Sequence, residues 1–252
     1  MREDTPQWQT ILGVRFFTGT TAEAVDYIVR VRGYTVVPAA PALARIDRDA
    51  EYARALLEAD LAIADSGFMV LLWRILRRRK IIRTSGLKYL RLLLADPALH
   101  AAGKVFLILP REMAQEKALA WLREQQFTIG EDDCHIAPMY RDRVEDEALI
   151  AILEKRQPEH IIIAVGGGTQ EKLGLYLREH LSYRAAIHCI GAALGFLTGD
   201  QPPIPMWADK FYLGWLLRLL RQPRLYSRRY LSAFRLPWLI LKYGTEAPAG
   251  ER

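Results

Sequence analysis

Cysteine is scarce: Cys134 and Cys189 are the only two in 252 residues. They lie far apart without a CxxC spacing, which excludes a disulfide-stapled scaffold and suits a reducing compartment. No uncharged apolar run reaches the roughly 18 residues that a membrane-spanning helix needs. The opening Met1-Arg2-Glu3-Asp4 has no apolar run behind it, so no signal peptide is expected either. Metal-ligand patterns are sparse too. Asp132-Asp133-Cys134-His135 is the only candidate cluster, and His100, His160, His180 and His188 have no ligand-like spacing to it, so no metal site is expected. The glycine runs match neither GxGxxG nor the GK[ST] of a P-loop, which weakens the dinucleotide and nucleotide-triphosphatase readings.

What is present is a core and an uneven charge. With 51% apolar residues the chain can bury a sizeable interior. Between Lys210 and Tyr243 there are eight basic residues and no acid, so a total of +6 leaves the rest of the chain at −2. A single-sign, aromatic-rich tail on a near-neutral body suits a polyanion or an anionic membrane face. Phe211, Leu213, Trp215, Leu216, Leu219 and Leu220 recur at near-helical spacing beside Arg218 and Arg221, as in helices that lie in a membrane interface. A terminal helix packed on its own domain, or a subunit contact giving a homo-oligomer, would produce the same pattern. No nucleic-acid recognition motif accompanies the basic residues, so no nucleic-acid partner is expected.

Along the chain, short apolar runs alternate with segments of helical period. Ile11 to Phe17 is expected to be one strand, and Thr20 to cap a helix through Val31. Tyr34 to Val37 is a strand followed by an extended Pro38-Ala39-Ala40-Pro41 connection. Later pairs include Lys104–Leu109 with Met113–Gln125, Cys134–Pro138 with Glu145–Lys155, and Ile161–Val165 with a helix from Leu173. This alternation predicts a Rossmann-like α/β fold, a mostly parallel sheet with helices on both faces.

Two stretches stand out at predicted strand ends, where ligands bind in such sheets. Leu61 to Ala64 delivers Asp65-Ser66-Gly67, after which a helical pattern begins. Asp65 is either a helix cap or a catalytic acid or base. Arg83, between Ile81-Ile82 and the helix start Thr84-Ser85-Gly86, suits a phosphate clamp, whereas Arg77-Arg78-Arg79-Lys80 suits a solvated helix end. Ile161 to Val165 runs into Gly166-Gly167-Gly168-Thr169-Gln170-Glu171, where glycines let backbone approach a phosphate. Gln170 and Glu171 fit equally as ordinary first-turn residues.

Taken in order, these motifs resemble the TagA/CpsF-type (WecG/TagA/CpsF) bacterial glycosyltransferases, glycosyltransferase family 26. The likeness runs through Gly13-Val14, Ala59-Asp60-Leu61, Asp65-Ser66-Gly67, Arg83-Thr84-Ser85-Gly86, Gly166 to Glu171, Ile190-Gly191-Ala192-Ala193 and Trp207. It ends with Leu213-Gly214-Trp215, Pro223-Arg224 and Arg229-Tyr230. The resemblance implies an inverting transfer from a UDP-sugar, with no metal cofactor, to a polyprenyl-diphosphate-linked glycan in surface-polysaccharide assembly. It also implies a catalytic domain over residues 1–202, a membrane-associating appendage over 203–252, and a place on the inner face of the cell membrane. Asp65 would be the general base, Arg83 and Gln170 would line the donor pocket, and Arg218, Arg224, Arg228 and Arg229 would hold the acceptor pyrophosphate. Ser66, Gly166, Gly167, Gly168, Glu171, Gly191 and Ala192 complete the expected substrate-binding set. The chain departs from the family at Val37–Pro41, which lacks an asparagine, at Gly195 in place of an aspartate, at Pro203-Ile204-Pro205, and at Gly214 in place of a glutamate. Those losses bear on which sugar and acceptor bind, and an inactive relative serving as a membrane or complex adaptor is the alternative reading.

Overall fold

The computed structural model describes residues 7–140, 143–201 and 231–248. Eight strands form one sheet: β1 (Trp8–Ile11), β2 (Val14–Phe17), β3 (Tyr34–Val36), β4 (Leu61–Ile63), β5 (Val105–Leu109), β6 (Cys134–Ile136), β7 (His160–Ile163) and β8 (Ala186–Cys189). Their spatial order is β1-β2-β4-β3-β8-β7-β5-β6. Every pairing is parallel except that of β1 with β2. The α/β architecture expected from the alternation of runs is therefore the one observed.

The central strands are apolar on both faces because helices cover both. Along β7, Ile161 and Ile163 enter one buried cluster and Ile162 the other, the period-2 alternation of a pleated strand. The first cluster lies under α2 (Ala40–Leu43), α3 (Ala50–Leu57), α4 (Gly67–Arg77), α7 (Glu147–Arg156), α8 (Thr169–His180) and α10 (Leu236–Tyr243). The second lies under α1 (Thr21–Val31), α5 (Gly86–Leu94), α6 (Glu112–Glu124) and α9 (Ala193–Leu197). Helix α1 starts as its sequence predicts, with Thr20 and Glu23 forming a reciprocal capping box.

Three local expectations are corrected. Ile11 to Phe17 is not one strand but a hairpin, turned at Leu12 (φ 52°) and Gly13 (φ 80°); this pair of left-handed residues gives the tight reversal that joins antiparallel strands. Pro41 does not extend the chain but sits in the first turn of α2, where its missing N–H costs nothing. Helix α8 begins at Thr169 rather than Leu173, so Gln170 and Glu171 belong to its first turn.

The described part of the expected C-terminal appendage is integral to the core. Leu236, Leu239 and Ile240 of α10 are fully buried beside Met69 and Trp73 of α4. Burying each such side chain is worth roughly 1.5–3 kcal/mol. An Arg235 fork grips both Asp47 carboxylate oxygens at 3.2 and 2.8 Å. The backbone then pairs with the β1–β2 turn, Leu12 N–H donating to Gly244 O at 2.9 Å and Gly13 N–H to Thr245 O at 3.1 Å.

Candidate active site

Parallel strands bring their carboxyl ends to one edge, and the residues singled out in the sequence collect there in two groups. The first surrounds Asp65. Just beyond β4, the chain turns and Ser66 caps α4, its hydroxyl accepting from Met69 N–H at 3.3 Å. The cap is thus Ser66, and the Asp65 side chain is engaged elsewhere. Arg83 binds Asp65 twice: Nε donates to the backbone oxygen at 2.7 Å, and Nη2 to carboxylate Oδ1 at 3.1 Å. Thr84 N–H donates to Ala64 O at 3.2 Å, drawing the segment after α4 back to the end of β4. Ser85 then caps α5 on Lys88 N–H at 3.4 Å.

Asp65 therefore sits between the amino ends of two helices that leave for opposite faces of the sheet. Those ends carry partial positive charge, and the Arg83 guanidinium offsets the charge of the Asp65 carboxylate. The Asp65 side chain is 37% exposed and Arg83 17%; solvent reaches the carboxylate while its orienting partner is mostly covered. A β-carbon added at Gly86 would lie 3.1 Å from Val37 Cγ1 and 3.7 Å from Asp65 Oδ2. Gly86 thus approaches both Val37 and the Asp65 carboxylate, a closeness that local patterns did not single out because it joins three separate segments.

The second group follows β7 and β8. Gly166 and Gly167 are exposed, and β-carbons built on them would meet nothing within 4 Å. Gly168, with φ 97°, ends the loop and starts α8. Gln170 and Glu171 lie beneath this loop, 1% and 0% exposed. Gln170 Oε1 accepts from Gly191 N–H at 2.7 Å, and its Nε2 donates to Glu171 Oε1 at 3.0 Å and Cys189 O at 3.4 Å. Glu171 Oε2 accepts from Gly168 N–H at 2.6 Å. Burial raises the Glu171 carboxyl above its ordinary value, opposed by the hydrogen bonds from Gln170 and Gly168. The pair ties the β7 loop to the β8 loop, and Ala192 follows exposed at the cap of α9. Close seating of α8 makes this possible: a β-carbon on Gly174 would fall 2.5 Å from the Tyr34 ring and 2.6 Å from Cys189 Sγ.

Between β4 and β7 stand only β3 and β8, so the two groups are about 14 Å apart across three strand spacings. That is the length scale of an extended nucleotide-diphosphate sugar. The cluster at 132–135 is engaged in ion pairs: Asp132 and Asp133 pair with Arg156, and His135 with Asp146 at 3.1 Å. Among the described residues no three His, Cys, Asp or Glu side chains gather as a metal site. Arg218, Arg224, Arg228 and Arg229 lie outside the described residues.

A mostly parallel sheet covered by helices, with an arginine-held carboxylate and a glycine loop on one carboxyl edge, places the protein in the α/β class. The model of the Glycosyl transferase WecG/TagA/CpsF family matches residues 9–249, and the chain belongs to that family. No curated protein matches it. The protein is accordingly of glycosyltransferase type. No helix of the described residues is long and apolar enough to cross a membrane.

Proposed function

We propose that the protein is an inverting glycosyltransferase that moves a sugar from a UDP-sugar to a polyprenyl-diphosphate-linked glycan in bacterial surface-polysaccharide assembly. The acceptor hydroxyl oxygen attacks the anomeric carbon from the face opposite the leaving group. As that C–O bond forms, the hydroxyl proton passes to Asp65 and the bond from the anomeric carbon to the diphosphate oxygen breaks. UDP departs with the bonding electron pair. Donors spread along the edge, Arg83 beside Asp65 and the open backbone of Gly166 and Gly167 farther along it, are suited to the charges of an extended nucleotide diphosphate. The chain's own groups carry each of these steps, so the reading invokes no metal.

The observation that carries this reading is the Asp65–Arg83 pair: an accessible carboxylate, oriented by a covered arginine, at the end of a central strand of a chain in this family. Its setting between two helix starts suits a diphosphate-bearing substrate. The expected arginines Arg218, Arg224, Arg228 and Arg229 would take the acceptor diphosphate, and an anionic membrane surface on the inner leaflet would present it. A panel of UDP-sugars tested by thermal shift checks the donor. One or more should raise the melting temperature by mass action, and the same sugar should be transferred to a lipid-linked acceptor. Absence of stabilisation at millimolar UDP-sugar would instead favour the non-catalytic adaptor.

A further inference from the structure

The sheet face beneath α5 is lined mainly with leucine, isoleucine and valine, yet a row of polar side chains crosses it. Thr35 on β3 stands opposite His188 on β8, and His188 opposite Ile162 on β7. Thr35, His188 and, two residues back along β7, His160 therefore share that face. They are 0%, 0% and 4% exposed, and Tyr89 of α5, itself 0% exposed, closes over them. The Tyr89 hydroxyl lies 2.7 Å from His188 Nδ1, and His188 Nε2 lies 3.1 Å from His160 Nδ1. Polar groups in such a layer cost free energy unless they are bonded; bonded, they fix one arrangement where apolar contacts would allow several.

Burial also settles the charge of this chain. It raises the Tyr89 phenol, which stays protonated, and it lowers both rings, His160 to about 4 and His188 well below its ordinary value, so both imidazoles are neutral at pH 7. A neutral ring has one N–H and one acceptor nitrogen. With the phenol donating to His188 Nδ1, the Nε2–H of that ring donates to His160 Nδ1, and the three groups form a chain with one sense.

The chain ties together the two halves of the candidate site from within the sheet. Tyr89 stands one turn into α5, its N–H donating to Ser85 O at 2.9 Å. Arg83 and Gly86, which meet Asp65, lie just ahead of it. His188 is three residues ahead of Gly191, whose N–H donates to Gln170. The other large buried side chains of α5, Leu90, Leu93 and Leu94, are aliphatic, and apolar contact is non-directional. The hydroxyl bond is therefore what sets how far α5 is turned and slid along the sheet.

We infer that Tyr89 and His188, backed by His160, are positioning residues for the proposed transfer: their hydrogen-bonded chain fixes α5 against β8 and so sets Arg83 and the Asp65 carboxylate in register with the loops at Gly166 and Gly191. They act through Asp65 rather than on substrate. The kinetic consequence rests on the transferase reading; the seating of α5 does not.

The test compares the full chain as wild type, Tyr89→Phe and His188→Asn. Tyr89→Phe keeps the ring and loses only the hydroxyl, whereas His188→Asn keeps an oxygen acceptor near the place of Nδ1 but loses volume and the bond to His160. Hydrogen exchange read by mass spectrometry should show the amides of residues 88–94 opening at least about tenfold faster in Tyr89→Phe, with residues 105–109 of β5 at the wild-type rate. His188→Asn should have the lower melting temperature yet the smaller change at 88–94. Transfer is measured with the UDP-sugar that the thermal-shift panel selects and a lipid-linked acceptor. The kcat of Tyr89→Phe should fall at least about tenfold, since misplacing a catalytic group by about 1 Å can cost on the order of 10²-fold. Its affinity for UDP should stay within about twofold, because β8 remains in its ladder while α5 shifts, and His188→Asn should keep most of the wild-type kcat. Wild-type exchange at 88–94 in Tyr89→Phe would overturn the inference. So would exchange raised equally along the whole chain, or a kcat that follows melting temperature across the two variants, either of which would make the chain a source of stability alone. Faster exchange confined to 88–94, with no sugar transferred by wild type, would support the seating of α5 and count against the transferase reading.

Discussion

Replacing Gln170 by Met removes three hydrogen bonds from the hinge between the two ligand-facing loops while nearly conserving volume. The Gly191 N–H, 2.7 Å from Oε1, loses its acceptor, and the buried Glu171 carboxylate loses the Nε2 donor at 3.0 Å. An orphaned buried group costs about 1–3 kcal/mol, with bonds to charged partners at the upper end. The 3.4 Å contact to Cys189 O adds little. Together the loss is about 3–5 kcal/mol, a large share of the roughly 5–15 kcal/mol that holds a domain folded. Urea denaturation followed by circular dichroism should show it as a midpoint lowered by roughly 1–2 M for an m-value of 2–3 kcal/mol/M. The surviving folded enzyme should show a raised donor KM, because Gly191 and Gly168 are no longer held in register. Gln170→Glu keeps an acceptor for Gly191 N–H but sets a second carboxylate against Glu171, so its deficit should shrink as pH is lowered. A Gln170→Met variant with wild-type midpoint and wild-type KM would refute the bracing role.

Other outcomes follow from the same geometry. Gly167→Val should leave the melting temperature unchanged, since a side chain there meets open space, while donor KM rises at least several-fold; an unchanged KM would remove this loop from the donor site. Gly174→Ala should cost about 1–3 kcal/mol by overpacking against Tyr34 and Cys189, read as a lower urea midpoint. His160, hydrogen-bonded at 3.1 Å to His188, is pushed down by burial from an ordinary value near 6.5 to about 4. The unfolded chain then binds a proton that the native state refuses. The stability is fully present above about pH 6.5 and falls by about 3 kcal/mol as pH drops toward 4. Denaturation midpoints at several pH values should show the decline, and His160→Gln should flatten part of it; equal slopes would assign the decline to other groups.

Much of the fold was legible because both faces of its sheet are covered. Ile161 to Val165 and Val105 to Leu109 are continuous apolar runs only because helices bury them on each side. The Leu12-Gly13 turn was not legible, since it lacks the Asn-Gly or Asp-Gly signature and sets a leucine at positive φ. The early start of α8 was hidden for a related reason. Gln170 and Glu171 look solvent-facing in a polar run, whereas their burial depends on Gly191, Gly168 and Cys189, partners that only the tertiary fold supplies. The Asp65 stretch announced a strand end, but neither its arginine partner 18 residues later nor the approach of Gly86 to the carboxylate follows from local spacing. The apolar stripe read from Phe211 to Leu220 lies outside the described residues; on α10, burial of Leu239 against exposure of Trp238 is set by packing on α4, which local spacing does not show.

In the proposed transfer Asp65 accepts a proton from the acceptor hydroxyl. The most direct measurement compares wild type with Asp65→Asn in transfer to a lipid-linked acceptor, alongside UDP affinity by titration calorimetry. The expected result is a fall in kcat of at least 100-fold with UDP affinity within a few-fold of wild type, since general-base catalysis contributes about 10²–10⁴. Turnover of Asp65→Asn at the wild-type rate would contradict it.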